Sequence, residues 1–564
     1  MENSDTFKIG LCMAGAISAG AYTAGVMDYL IESLEEWQKR KDSGAPDTPS
    51  HNVEIPVIGG ASAGGMTGII AASAFYDPIK PVQTLDNDIL SEIETNKFYH
   101  SWVDLISEKM LNLLLDNSDI TKSGMKSALN ADFIDKIAAR ALSVNGNSPL
   151  ERKYISKNLK VFTTLSNLEG MDFSVSFKSN CFSKDRFLVT NHSDFACFMM
   201  AEEEGEYKKD GWIPLNFKTG LNAELAKNSA MATGAFPVGL PARKVEREGK
   251  YLNDLEWFRH ITAKHKANRP FPAKYSTINV DGGMINNEPF ERVSEIILNE
   301  TEHDKESGDN KNDYKKYDTF RGTVLMIDPF PSEEDTFKNS DDLTSVIGNT
   351  LSALMNQSCI KPSTLIDAME SDNASQFLIA PVRYDMKDGK EEVTEGAYAI
   401  ACGSLGGFGG FISKEFRIHD YFLGRMNCEK FLRDHFTVRS DTTNSIFVNG
   451  YAGVTNKEKF MSKNEKDKGF QIIPIFTSES SKGYMPTFAN EKQYPSVSES
   501  FVYSYRKMIK GRVEKVLFNI AEYSRTQKFL LWAGAKLLLN GKIADAVLDT
   551  IITSLDDHKL LKKS

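Results

Sequence analysis

Histidine and cysteine are both scarce in this chain, nine and six among 564 residues. The cysteines (Cys12, Cys181, Cys197, Cys359, Cys402, Cys428) are scattered without C-x-x-C spacing, which excludes a zinc-ribbon pattern and a dense disulfide framework. Reduced, mostly buried thiols in a cytoplasmic protein are expected instead. No run of about 18 or more apolar residues occurs, so no transmembrane helix is expected. The opening Met-Glu-Asn-Ser-Asp has neither a basic stretch nor an apolar one after it, so no secretory leader is read there. A basic excess is also missing: the net charge is -10, which disfavours non-specific nucleic-acid binding. The sign reverses only over residues 501–564, where 12 Lys and Arg face 6 Asp and Glu. Such a tail suits an acidic surface such as anionic lipid, or simply forms a solvated helical face.

What is present is organised around Ser62. Val53 to Ile58 reads as a buried strand, and Met66, Ile69 and Ile70 with Ala71 and Ala72 have helical spacing. Gly60-Ala61-Ser62-Ala63-Gly64 therefore sits at a strand-to-helix turn, the context in which G-x-S-x-G carries chemistry. A tight elbow strains the serine backbone, needs small neighbours, and sets Oγ above the sheet near a helix N-terminus. Taken alone, the motif is also compatible with an ordinary glycine-rich turn.

The chain offers two further strand ends of this kind. Phe7 to Met13 reads as a first strand, followed by the nearly bulk-free Gly15-Ala16-Ile17-Ser18-Ala19-Gly20 and a helix marked by Tyr22, Val26, Tyr29, Leu30, Leu34 and Trp37. A strand, small-residue loop and helix present free backbone N–H groups to an anion. A nucleotide loop is excluded, because Gly20 is followed by Ala21-Tyr22 rather than Lys-Ser/Thr, and Ile17 occupies the middle glycine of G-x-G-x-x-G. Tyr275 to Val280 forms the third strand and runs into Asp281-Gly282-Gly283. Successive strand–loop–helix units predict a parallel α/β sheet with its ligand site beyond the strand C-termini.

Elsewhere the pattern is less decisive. Residues 86–142 read as helical and partly amphipathic, with an apolar stripe through Trp102, Leu105, Ile106, Met110, Leu113 and Leu114 that is assigned to core packing ahead of a lipid-facing lid. A small-residue helix is expected from Leu221 to about Thr233, and residues 245–272 resist assignment and suggest an insertion. Asn299 to Thr319 reads as a charged mobile loop, and Gly322 to Pro329 as the last strand of the sheet. A boundary just after it gives a hydrolase domain over 7–330 and a mostly helical region over 331–564, including two terminal helices, the second around Phe529 to Leu539.

A serine nucleophile needs a base, and its tetrahedral intermediate needs N–H donors. None of the nine histidines follows a strand end in a small-residue setting, which leaves a Ser–Asp dyad, although a triad through His419 stays open at this stage. The order of glycine-bearing loop, Gly-x-Ser-x-Gly and Asp-Gly-Gly, with Gly20-Ala21-Tyr22-Thr23-Ala24-Gly25-Val26 and Ala230-Met231-Ala232-Thr233-Gly234-Ala235-Phe236-Pro237, resembles the patatin-like phospholipases over residues 7–330. Phe416-Arg417-Ile418-His419-Asp420-Tyr421-Phe422-Leu423-Gly424-Arg425 is similar to a segment after the core in some larger bacterial members.

The resemblance implies a three-layer α/β/α fold and a phospholipase A or lysophospholipase-like esterase needing no metal or cofactor. Its substrate would be an acyl lipid, taken by a peripheral approach to the inner face of a membrane. By motif, Ser62 is the nucleophile and Asp281 the base, with an oxyanion hole from Gly15, Ala16, Ile17 and Ser18 plus the amide of Ala63. The family's loop usually reads Gly-Gly-Gly-x-Arg/Lys-Gly. Here Ala16 and Ile17 narrow the backbone freedom and Ala19 replaces the cation, so a lowered rate is expected, with a catalytically silent lipid-binding or scaffolding protein as the alternative.

Overall fold

The computed structural model describes residues 6–85, 96–106, 110–120, 125–145, 150–176, 186–201, 207–259, 271–302, 316–331, 346, 353, 376–387, 389–464, 468–476, 483–489, 492–519 and 541–562. Among these residues the centre is a nine-stranded mixed sheet. Strand β1 (Thr6–Met13) lies between β2 (Asn52–Gly60) and β8 (Gly322–Ile327) and is parallel to both. Beyond β2 come β3 (Ile155–Ser176), β4 (Arg186–Met200) and β5 (Ile213–Leu215). Strands β6 (Arg243–Glu248) and β7 (Lys274–Asp281) form an antiparallel pair that joins through β7 to β3. The central strands carry apolar side chains on both faces, as strands covered by helices on each side must.

Register brings the functional strand ends level. Met13 stands opposite Gly60 on one side and Ile327 on the other, so the loops after β1, β2 and β8 leave the sheet together. Asp281 pairs with Leu165 and arrives at the same edge from β7.

Helices α1 (Gly20–Asp42) and α2 (Ser62–Ala74) follow the first two strands. Helix α3 (Ile134–Ala141) lies over the strand ends, α4 (Ala223–Thr233) packs beside α2, and α5 (Phe290–Glu302) covers the opposite face. There Val293 and Ile297 fill the space above Gly10, where a Cβ would fall 2.6 Å from Val293.

Several features depart from the sequence expectations. Strand β8 is not the last of the sheet: β9 (Gln376–Ile379) adds to it in parallel, from beyond the expected boundary at 330. Four residues are too few for periodicity to reveal. The stretch expected to be helical over 86–142 is so in short pieces, Lys97–Tyr99, His100–Asp104 and Met110–Leu114 before α3, with 86–95, 107–109 and 121–124 outside the described residues. In the segment that resisted assignment, residues 245–258 supply most of β6 and two short helical turns. Asn299 to Glu302 ends α5 rather than starting a loop, and the rest of that expected loop through 315 is not described.

The later chain mixes helices with two small antiparallel pairs, β10 (Val382–Lys387) with β11 (Lys390–Glu395) and β12 (Thr437–Arg439) with β13 (Gly469–Gln471). Helix α6 (Lys414–Asp434) packs against α1 with backbone almost touching backbone: a Cβ at Gly25 would fall 1.9 Å from the Tyr421 carbonyl oxygen, and one at Gly424 would fall 2.2 Å from that of Tyr22. Arg425 of α6 pairs with Asp28 and Glu32 of α1 across this contact. Helices α7 (Arg506–Asn519) and α8 (Lys542–Asp557) close the described chain, and the Phe529 to Leu539 group lies outside it. Among the described residues no helix is long and apolar enough to cross a membrane, and Cys12, Cys197, Cys402 and Cys428 are buried free thiols.

Candidate active site

Ser62 opens α2 with a φ of +49°, a left-handed backbone held between extended Ala61 and the helix. A non-glycine residue there costs about 1–3 kcal/mol and persists where its surroundings fix it. They do so through close approaches that only glycine permits. A Cβ at Gly64 would lie 2.2 Å from the Met13 carbonyl oxygen, and one at Gly60 would lie 2.6 Å from the Gly64 backbone. The Ser62 N–H donates to Thr233 Oγ1 at 2.8 Å, pinning the elbow to the end of α4.

Asp281 ends β7, with its N–H on the Ala235 carbonyl (2.9 Å) and its own carbonyl accepting from Ser166 Oγ (2.7 Å). Its side chain meets the elbow: Ser62 Oγ donates to Asp281 Oδ2 at 2.7 Å, while Oδ1 accepts from the Gly283 N–H at 2.8 Å. Both residues are almost fully buried, 5% and 4% exposed. Burial pushes the Asp281 carboxyl up to about 6, opposed by the Ser62 and Gly283 hydrogen bonds. That places its basicity nearer the working range of a general base than an exposed aspartate would reach. A second buried acid, Asp328 at the end of β8, is raised to about 7 by burial and by the charge of Glu288, whose own carboxyl burial also raises.

The loop after β1 lies against this pair. A Cβ at Gly15 would sit 3.0 Å from the Ser62 Cβ and 2.3 Å from Asn287 Oδ1, so a larger residue there would displace the Asn287 carboxamide. The same Asn287 oxygen would lie 2.6 Å from a Cβ at Gly283, which makes one carboxamide the wedge between the loop and the Asp-Gly-Gly turn. Ile17 adopts a φ of +48°, in the left-handed region that β-branched residues resist. Ala19 N–H bonds the Ala16 carbonyl at 2.9 Å, and among the described residues the N–H groups of Gly15, Ala16, Ile17 and Ala63 meet no acceptor. For Ala63 this is the ordinary state of a first-turn donor.

A cavity of about 140 Å³ opens at the dyad, so the hydroxyl faces an apolar chamber rather than open solvent. Ile17 and Ala63 line it beside Ser62 and Asp281, with Met66 and Ile70 of α2 and Ala230 and Met231 of α4 below. Trp102, Ile106 and Met110 of the stripe assigned to core packing form one wall, Leu113 of the same stripe being exposed. Helix α3 turns Ile134, Ile137 and Ala138 towards the chamber, and Arg243 at its edge holds α3 through Asp135 at 3.0 Å. Phe236, Phe411 and the hydroxyl-bearing Ser101 also line it.

The expected residues are thus found together: Ser62 with Asp281, and Gly15, Ile17 and Ala63 around them. Ala16 is buried within the loop, and the Ser18 hydroxyl is engaged elsewhere, with Gly407 and Gly410. His419 is fully buried on α6, its Nδ1 2.7 Å from Asp420, and it does not line the chamber. Thr233 and Asn287 were not singled out from sequence as site residues, although Thr233 stood in the quoted small-residue stretch.

Comparison with known proteins bears on the family. A family model described as patatin-like phospholipase matches residues 11–293. The uncharacterized protein y4iI of Sinorhizobium fredii is 31% identical over 514 residues, covering 83% of this chain and 71% of that protein.

Proposed function

The chain belongs to the patatin-like phospholipase family, a family of lipid acyl hydrolases, and from that premise we propose that it cleaves acyl esters through a Ser62–Asp281 dyad and an acyl-enzyme intermediate. The observation that carries this reading is the 2.7 Å contact of Ser62 Oγ with a buried Asp281 at the mouth of an apolar chamber. Ser62 Oγ attacks the ester carbonyl carbon while its proton passes to Asp281 Oδ2, and the carbonyl π pair becomes an oxyanion. The N–H groups of Gly15, Ala16, Ile17, Ser18 and Ala63 are its proposed donors, the last being the residue after the nucleophile. Collapse breaks the C–O bond and the leaving alcohol takes the proton from Asp281. Water then attacks the acyl-enzyme with Asp281 again accepting a proton, which releases the fatty acid and restores Ser62. No metal or cofactor enters these steps.

The chamber is proposed to hold the acyl chain. Each methylene moved from water into such a site contributes about 0.8 kcal/mol, so the chamber's depth sets the chain length that profits. Ala138→Phe, on the peripheral helix α3, places a ring in that space. Its kcat/KM for a dodecanoyl ester is expected to fall about tenfold relative to a butanoyl ester, as for the loss of a few buried methylenes. An unchanged chain-length profile would place the acyl chain elsewhere. The same reading has the protein cytoplasmic and peripheral on the membrane that presents its substrate, supported by the basic excess of residues 501–564.

A further inference from the structure

Ile17 holds a left-handed backbone beside the dyad without being glycine, and something must impose it. The contacts that do so come from almost 400 residues along the chain. Ser18 is fully buried, and its hydroxyl donates to the Gly407 carbonyl and accepts from the Gly410 N–H at 2.9 Å. Both partners lie in a tight turn, 401–411, in which Leu405, Gly406 and Gly407 take φ values of +56°, +60° and +99°. The turn fits closely over the loop. A Cβ at Gly407 would come within 3.3 Å of Ile17 Cβ and 3.4 Å of the Ala16 oxygen, and one at Gly410 would meet Ser18 Oγ at 2.7 Å.

The turn is itself fixed from α6. Arg417 is fully buried and donates through Nη1 to the Gly410 carbonyl, and through Nη2 to the carbonyls of Ile106 (2.8 Å) and Val103 (3.3 Å). One guanidinium therefore joins the turn to the segment that carries Trp102 into the chamber wall. Asp420, one helical turn on, accepts the N–H groups of Ala401 (2.7 Å) and Cys402 (2.8 Å) at the start of the turn. Charged groups with no exposure are retained at a desolvation cost that these hydrogen bonds must offset. Phe411, next to Gly410, lines the chamber.

We infer that Ser18, Arg417 and Asp420 are positioning residues: the region after the catalytic core clamps the oxyanion loop into its donating conformation and so completes the active site. The inference rests on the Ser62–Asp281 reading above. Its physical content is that the loop lacks the glycines that would take a left-handed backbone without cost, and a hydrogen-bonded clamp supplies the constraint. Donors work at about 2.7–3.1 Å from the oxyanion, so a loop free to relax loses transition-state stabilisation while the chamber beside it still binds acyl chains.

The test compares two probes on Ser18→Ala and on Arg417→Lys, either of which suffices if the other fails to fold. A dodecyl trifluoromethyl ketone adds Ser62 Oγ at its carbonyl carbon, the proton passing to Asp281 and the carbonyl oxygen becoming an oxyanion in the hole. The matching alkyl amide occupies the chamber without reacting. Expected for Ser18→Ala is a loss of about 10²-fold in ketone affinity and a similar fall in kcat, the size of removing one oxyanion donor. Arg417→Lys, which keeps the charge but reaches fewer carbonyls, should lose about tenfold, within that limit. Amide affinity and KM should stay within about twofold for both, as only transition-state contacts change. Ketone affinity equal to wild type overturns the inference, and so does an equal loss for ketone and amide, which marks a merely structural role. A wild-type protein that binds the amide but not the ketone overturns the Ser62 reading itself.

Discussion

Ser62→Ala is expected to lower acyl-ester hydrolysis by about 10⁴-fold or more, on the scale of losing the nucleophile from a serine hydrolase. Among the described residues no other lining hydroxyl is paired with an acid. The elbow sets one hydroxyl against the Asp281 carboxylate; the other hydroxyl of the chamber lining, Ser101, has no carboxylate partner among the described residues, and Arg243 is paired to Asp135. Stability should change by less than about 1 kcal/mol, because the substitution removes one oxygen and leaves the small-residue packing at Gly60 and Gly64 intact. Equal activity in Ser62→Ala would mean that hydrolysis occurs at another centre.

Asp281→Asn is expected to cost about 10³–10⁴-fold, the scale on which a triad loses its aspartate, with proton removal from Ser62 gone but the oxyanion donors kept. The wild-type pH profile follows from the raised carboxyl. The base is the ionised form, so kcat/KM should fall as pH drops below about 6 and level off above it. Stability runs the other way. A carboxyl whose folded value is raised above 3.8 contributes stability that is fully present below the unfolded value and lost as pH rises through about 6. An asparagine forfeits nothing over that window and can still accept from Gly283. Relative to wild type, Asp281→Asn should therefore gain on the order of 3 kcal/mol between pH 4 and pH 8, at about 1.4 kcal/mol per unit. Thermal melts of both proteins across that range measure it. An inactive variant that is more stable at pH 8 is the signature of a residue kept for chemistry at the expense of the fold. An Asp281→Asn protein with full activity would assign the base elsewhere.

The parts of the site legible in sequence are those whose chemistry is written in adjacent residues. Gly60-Ala61-Ser62-Ala63-Gly64 and Asp281-Gly282-Gly283 announce themselves because an elbow and a capped strand end each require small neighbours within two positions. The parallel strands β1, β2 and β8 were readable for a similar reason, as short apolar runs ending in turns. The chamber was not. Its walls come from Trp102 and Ile106, from α3, from Met231 and Phe236, and from Phe411, side chains that share no spacing and meet only after folding. The stripe at Trp102, Ile106 and Met110 was visible, but a side chain facing an apolar chamber looks in sequence like one facing a core. Strand β9 was hidden by its length, and the charges at 417–420 by their partners. Read locally, Arg417 and Asp420 belong to a polar set on a helix. In the fold they bond backbone groups of a turn that grips Ser18, far off along the chain. The departure noted at Ile17 was legible as a difficulty; its resolution lay in residues no local pattern connects to it.

The central claim, that Ser62 is a nucleophile activated by Asp281, is tested most directly by a dodecyl fluorophosphonate followed by peptide mass measurement. The account predicts one equivalent of label per chain, carried by the peptide containing Ser62, absent in Ser62→Ala and formed far more slowly in Asp281→Asn. A wild-type protein that stays unlabelled, or that carries the label on another residue, would contradict it.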